Sequence, residues 1–148
     1  MTDYEPRLFA SDADVNHVGE GLLACSSPRA EWTHEAHLAA TTYLLLRHPE
    51  IDLDSELRGL IRRYNESVGG VNSDTEGYHE TVTLVFLRGV RLFLAEAGAE
   101  APLHHLVNGL LLSTMGRRDW PLRFYSRDRL FSVEARREFV APDIASFP

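Results

Sequence analysis

SPRAEWTHEAHLAATTYLLLRHP, residues 27–49, decides how this chain folds. Ser27 before Pro28 has the form of a helix start: a serine hydroxyl accepts from a free amide of the first turn, and proline has no N–H where none is needed. Pro49 closes the stretch, because its ring clashes with the preceding turn of a helix. The spacing predicts one helix over 28–48. His34, His37, Leu38, Thr41, Leu44 and Leu45 share one side of it, and Trp32, Ala36, Ala39, Ala40 and Tyr43 occupy the other. A helix apolar on two sides belongs at the centre of a bundle.

The same period recurs outward from this stretch. Val15, Val18 and Leu22 give a weak helix over 11–25, interrupted by Gly19 and Gly21, after an extended arm of ten residues. Leu53, Leu57, Leu60, Ile61, Tyr64 and Val68 predict a helix over 53–68, ended by Gly69-Gly70. Ser73-Asp74-Thr75-Glu76 is a capping-box pattern and opens a helix over 74–97. On it, His79, Val82, Thr83, Phe86, Val90 and Phe93 form the inner face. Pro102 opens a fifth helix with Leu103, Leu106, Val107, Leu110 and Leu111 inward, and Gly116 closes it. Ser126 and Ser132 cap two short helices. Leu122, Phe124, Tyr125, Leu130, Phe131 and Phe139 predict that this tail packs back on the bundle. The expected fold is all-α: a single helical domain over 1–148, with four to five main helices plus short C-terminal helices.

Composition narrows the chemistry. A chain of 148 residues, 44% hydrophobic, is large enough for one real core. It has no apolar run near the roughly 18 residues a membrane span needs. Met1 to Ala10 carries Asp3 and Glu5 and lacks the form of a signal peptide. A cytoplasmic protein with no membrane partner is expected. All 15 basic residues are arginine, which removes lysine Schiff bases, a pyridoxal-phosphate lysine and a P-loop lysine. A net charge of -7 argues against a nucleic-acid partner. Cys25 is the only cysteine and reads as a small buried hydrophobe. Seven arginines between Arg117 and Arg137, against Asp119, Asp128 and Glu134, either pair with acids on the surface or receive a small anionic ligand. The oligomeric state stays open, a dimer included.

The histidines carry the sharpest expectation. His34 and His37 are three apart on a leucine-lined face, and His79 sits on the inner face of a second long helix. With one helix between those two, their starts fall at the same end of the bundle. Buried imidazoles must satisfy their ring nitrogens. One reading gives all three to a single divalent metal, with zinc, iron, nickel or manganese suited to nitrogen ligands. The other bonds them to Thr41, Thr83, Tyr78 or backbone carbonyls. Glu80, beside His79, is a candidate general base or ligand, or else a first-turn glutamate favoured by the helix dipole. Glu31 with His34 and Glu76 with His79 have the E-x-x-H spacing of di-iron bundles, which need two further inward glutamates that this chain lacks.

Trp32-Thr33-His34-Glu35-Ala36-His37-Leu38 and Gly77-Tyr78-His79-Glu80-Thr81-Val82-Thr83 resemble an uncharacterised family of small bacterial helical proteins. That family's pattern is aromatic-x-H-x-x-H followed by Y-H-x-T-x-T. Tyr125-Ser126, Leu130-Phe131-Ser132 and Pro142-Asp143 resemble its C-terminal part, so the likeness runs from about 30 to 145. It implies that His34, His37, Tyr78, His79, Thr81 and Thr83 form the core of a site, and it names no reaction. In architecture the pattern also resembles DinB-like bundles, where three histidines on bundle helices hold a divalent metal. Their usual H-x-x-x-H pair is absent here.

Two functional readings follow. In the first the chain is a metal-dependent enzyme: the metal activates water, Glu80 or Tyr78 handles protons, and Thr83, Tyr125 and the arginine-rich tail position an anionic substrate. In the second it is a non-enzymatic binding or interaction protein whose histidines are structural.

Overall fold

Thr33, rather than Ser27, caps the central helix. The computed structural model describes residues 5–148; Met1 to Tyr4, the beginning of the predicted arm, lie outside the described residues. After Pro28 the chain makes only a 3-10 turn, Arg29–Glu31. It then extends through Thr33, whose hydroxyl accepts from the amide of Ala36 at 3.2 Å. The helix α2 runs His34–Arg47. A hydroxyl in register with three free amides outcompetes an earlier start that offers no such bond. Ser27 is instead buried, and its carbonyl accepts from the Tyr64 hydroxyl at 2.8 Å.

Before it, α1 spans Asp12–Ala24 and lies along α2. Gly19 weakens α1 as a helix but makes the contact: a Cβ there would sit 2.1 Å from the Tyr43 ring. The arm ahead of α1 is tied down, with the Phe9 amide and carbonyl both bonded to the Asn108 side chain. After it, α3 spans Leu53–Ser67 and buries Leu57, Ile61 and Tyr64 as its period requires.

The next helix, α4, is Glu80–Ala97 and begins later than the capping-box pattern predicts. Ser73 does bond locally, to the Thr75 amide and through its own amide to the Glu76 carbonyl. That closes a turn and no helix follows, because Gly77 adopts φ +82°, outside the helical region. His79 takes over as cap: its Nδ1 accepts from the Val82 amide at 3.1 Å. So residue 79 belongs to the loop end, where the expected helix put it on an inner face.

Helix α5, Leu103–Leu112, buries the five residues its period selects. The chain then passes through 3-10 turns at Thr114–Gly116 and Trp120–Arg123 and through the short helices α6, Arg127–Leu130, and α7, Val133–Arg137. Ser126 and Ser132 cap the last two as predicted. Trp120, Phe124, Tyr125, Leu130 and Val140 pack with Val85 of α4 into a second apolar cluster. Phe131 and Phe139, expected to pack inward, are about half exposed. The architecture is all-α, and no strand occurs among the described residues. None of their helices is long and apolar enough to cross a membrane.

Candidate functional site: a histidine-lined cleft

The first turn of α2 meets the second turn of α4, and the two helices are in contact as predicted. His34 packs edge-on against Phe86, with ring centroids 5.2 Å apart. A cleft opens beside this contact. Its wall is Trp32, His37 and Thr83 together with Ile61, Tyr64 and Asn65 of α3 and Val68 just after it. The loop 69–79 forms the rim and contributes Tyr78 and His79. The volume is about 410 Å³. A second hollow of about 280 Å³ shares Trp32, His37, Ile61 and Thr83 with the first and adds His34 and Thr41. His37 and Thr83 therefore stand between two halves of one cleft.

Asn72 ties the rim to α3. Asn72 Oδ1 accepts from the Tyr78 amide and the Asn65 side chain, at 3.0 Å each, and Asn72 Nδ2 donates to the Arg62 carbonyl at 3.1 Å. At Gly77 a Cβ would lie 2.2 Å from the Val71 carbonyl oxygen, so the turn closes only with glycine.

The three histidines have different fates. His34 donates from Nε2 to the Gly116 carbonyl at 2.8 Å. His79 donates from Nε2 to the Leu130 carbonyl at 2.8 Å while Nδ1 receives the Val82 amide. A carbonyl only accepts and an amide only donates, so the neutral Nε2–H tautomer satisfies both contacts of His79. Burial pushes the pKa of each of these two rings down, with Arg118 adding to the effect at His34 and Arg136 at His79.

His37 has no hydrogen bond to either ring nitrogen among the described residues. Its ring lies on Trp32 at a centroid distance of 4.1 Å. Protein surrounds it, yet the ring keeps a part of its surface open to the cleft. Burial, with His34 nearby, pushes its pKa down to about 4. At neutral pH it is an uncharged imidazole, able both to donate and to accept. The Trp32 indole N–H is buried with no partner, a defect that costs roughly 1–3 kcal/mol where nothing relieves it.

Among the described residues no group of three His, Cys, Asp or Glu side chains is placed to hold an ion. The donor chemistry explains this: both nitrogens of His79 are occupied, and His34 has committed Nε2. The candidate catalytic pair is bonded to itself. The Tyr78 hydroxyl donates to Glu80 Oε1 at 2.5 Å, and Glu80 Oε2 lies 3.6 Å from Arg58. Burial and that carboxylate raise the Tyr78 pKa. Of the two candidate substrate contacts, Thr83 borders the cleft and Tyr125 does not. Tyr125 is fully buried in the second cluster, where its hydroxyl donates to the Val140 carbonyl at 2.6 Å.

The Y-H-x-T-x-T pattern acquires a different meaning from this geometry. Its histidine, His79, holds the Leu130 carbonyl, and Thr81, also fully buried, donates to the Glu138 carbonyl and accepts from the Val140 amide. Arg136 reaches back to the carbonyls of Gly77 and Tyr78. This is a seam that fastens the tail to the start of α4. Ile61 and Tyr64 were read from sequence as core residues and not as part of a site, and Asn65 and Asn72 were not singled out. Their signal was the glycine spacing Gly69-Gly70 to Gly77, which marks a structured loop. No family model, curated protein or solved structure matches the chain, so the residues themselves carry the functional argument.

Proposed function

We propose that this chain is a small-molecule-binding helical protein that takes its ligand into the cleft between α2, α3 and the 69–79 loop. His37 is the polar anchor. The observation that carries this reading is the contrast among the histidines: two are satisfied by protein carbonyls, while His37 faces the cleft unpartnered. A neutral imidazole that borders a cleft and has no protein partner for its ring nitrogens among the described residues can both donate to and accept from a ligand there. The ring is neutral and sits among Trp32, Tyr64 and Tyr78, which favours a compact, flat ligand uncharged at the end that meets His37. Glu80 and Tyr78 support the wall and take no chemical role, so binding rather than catalysis is the activity proposed.

The test is a screen of small heteroaromatic fragments against the full chain, read by NMR of histidine ring nitrogens. Fragments are expected to move the His37 signals, and His37→Phe is expected to abolish their binding while the fold is kept. Fragments that bind equally well to His37→Phe overturn the reading. So does a stoichiometric divalent metal whose retention requires His34, His37 and His79 together, which restores the metal-dependent alternative.

A further inference from the structure

The arginine run that the cleft leaves unused sorts into two groups. Five of its seven members are engaged within the protein. Arg137 grips Asp74 with two bonds of 2.7 and 2.6 Å, Arg136 holds Gly77 and Tyr78, and Arg129 donates to the Ala141 carbonyl at 2.6 Å. Arg118 lies 3.8 Å from the buried Glu35, and Arg117 is paired with Asp119 at 3.0 Å. Arg123 and Arg127 have no hydrogen bond or ion pair among the described residues, and both are exposed. These two, with Arg117, line one concavity of about 540 Å³, closed by Thr114 and Leu122. Asp119 is its single acidic member, so the hollow is locally positive on a chain of net charge -7.

The platform beneath the arginines is rigid. Arg123 ends a 3-10 turn whose Trp120 and Pro121 are buried, and Arg127 opens α6 directly after Ser126. Asp143 fixes Ser126 by accepting from its amide at 2.8 Å and its hydroxyl at 2.7 Å. The Phe124 carbonyl accepts from the Ile144 amide at 2.9 Å. Guanidinium groups carried on a fixed frame lose less freedom when they grip an anion, and their forked donors match phosphoryl oxygens two at a time.

We propose that Arg117, Arg123 and Arg127 form an anion site for the phosphoryl group of a small molecule, separate from the His37 cleft. Three cations against one carboxylate favour a multiply charged group over a monovalent one. Thr114 lines the edge of the same hollow. Because Arg123 and Arg127 are exposed and bond to nothing else, removing them leaves the fold intact.

The experiment titrates the full chain with pyrophosphate at low ionic strength by calorimetry. The parent is expected to bind one equivalent, and the double variant Arg123→Gln/Arg127→Gln about tenfold more weakly or worse. The double variant Arg47→Gln/Arg63→Gln, at exposed positions on α2 and α3, removes the same two charges elsewhere and is expected to leave binding unaltered. Circular dichroism checks that both double variants stay folded. Absence of saturable binding in the parent overturns the proposal, as does equal weakening by the Arg47/Arg63 double variant, which would mean that only overall charge is sensed. The outcome is independent of the cleft, since His37→Phe is expected to bind pyrophosphate normally.

Discussion

Two faces of the same few residues behave in opposite ways. On one side the start of α4 is a seam: His79, Thr81 and Arg136 each bond to backbone across it, and among the described residues no buried side-chain polar atom there lacks a partner. On the other side is the cleft, where His37 has an unpartnered ring and Trp32 an unpartnered N–H. A seam that satisfies every group contributes stability and has nothing left to offer a ligand. A wall that leaves groups unsatisfied sacrifices some stability and gains the capacity to bind. Both come from one histidine-rich pattern, and residue type alone does not separate them.

The seam breaks most severely through its apolar side. Leu130→Ala, at a site 2% exposed, is expected to destabilise the fold by about 2–5 kcal/mol in chemical denaturation. The polar side comes next. Thr81→Val leaves the Glu138 carbonyl and Val140 amide without their bonds and is expected to cost about 1–3 kcal/mol. His79→Ala removes both a cap and a cross-chain bond, for a loss of similar size. His79→Asn can still cap Val82 but is too short for the Leu130 carbonyl, so it is expected to recover part of that loss.

Acid sharpens the comparison further. The folded pKa of His37 is depressed from 6.5 to about 4, so the folded state disfavours the proton that the unfolded chain accepts. Stability is therefore fully present above pH 6.5, falls as pH drops through that value, and levels off near pH 4. The fall amounts to about 3 kcal/mol at most if His37 alone is responsible. His34 and His79 shift in the same direction and add to it. Denaturation curves of His37→Phe across this range are expected to show a clearly shallower slope. At pH 7 the same variant is expected to stay within about 1 kcal/mol of the parent, since His37 makes no hydrogen bond to lose.

How much of this was legible depends on what decides each element. The inward residues of α3 and α5 follow from period alone, because each helix is amphipathic and its starting point does not alter its face. Ser126 and Ser132 were readable as caps because nothing nearby competes with them. The starts of α2 and α4 were not. Ser27-Pro28 and Ser73 to Glu76 have the composition of helix starts, but Thr33 and His79 make the bonds that count. The error at Ser73 moved His79 from a loop end to an inner helix face, and so made three histidines look equivalent. The bonds that separate them run to Gly116 and Leu130, far along the chain, and no local pattern encodes a distant carbonyl.

The most direct test of the account is the ring-nitrogen NMR spectrum of the uniformly labelled protein at neutral pH, with and without one equivalent of zinc. The account predicts that His34 and His79 are fixed with the proton on Nε2 and stay so on adding zinc, while His37 has no hydrogen-bond signature. Displacement of all three histidines together by a single equivalent of zinc would contradict it.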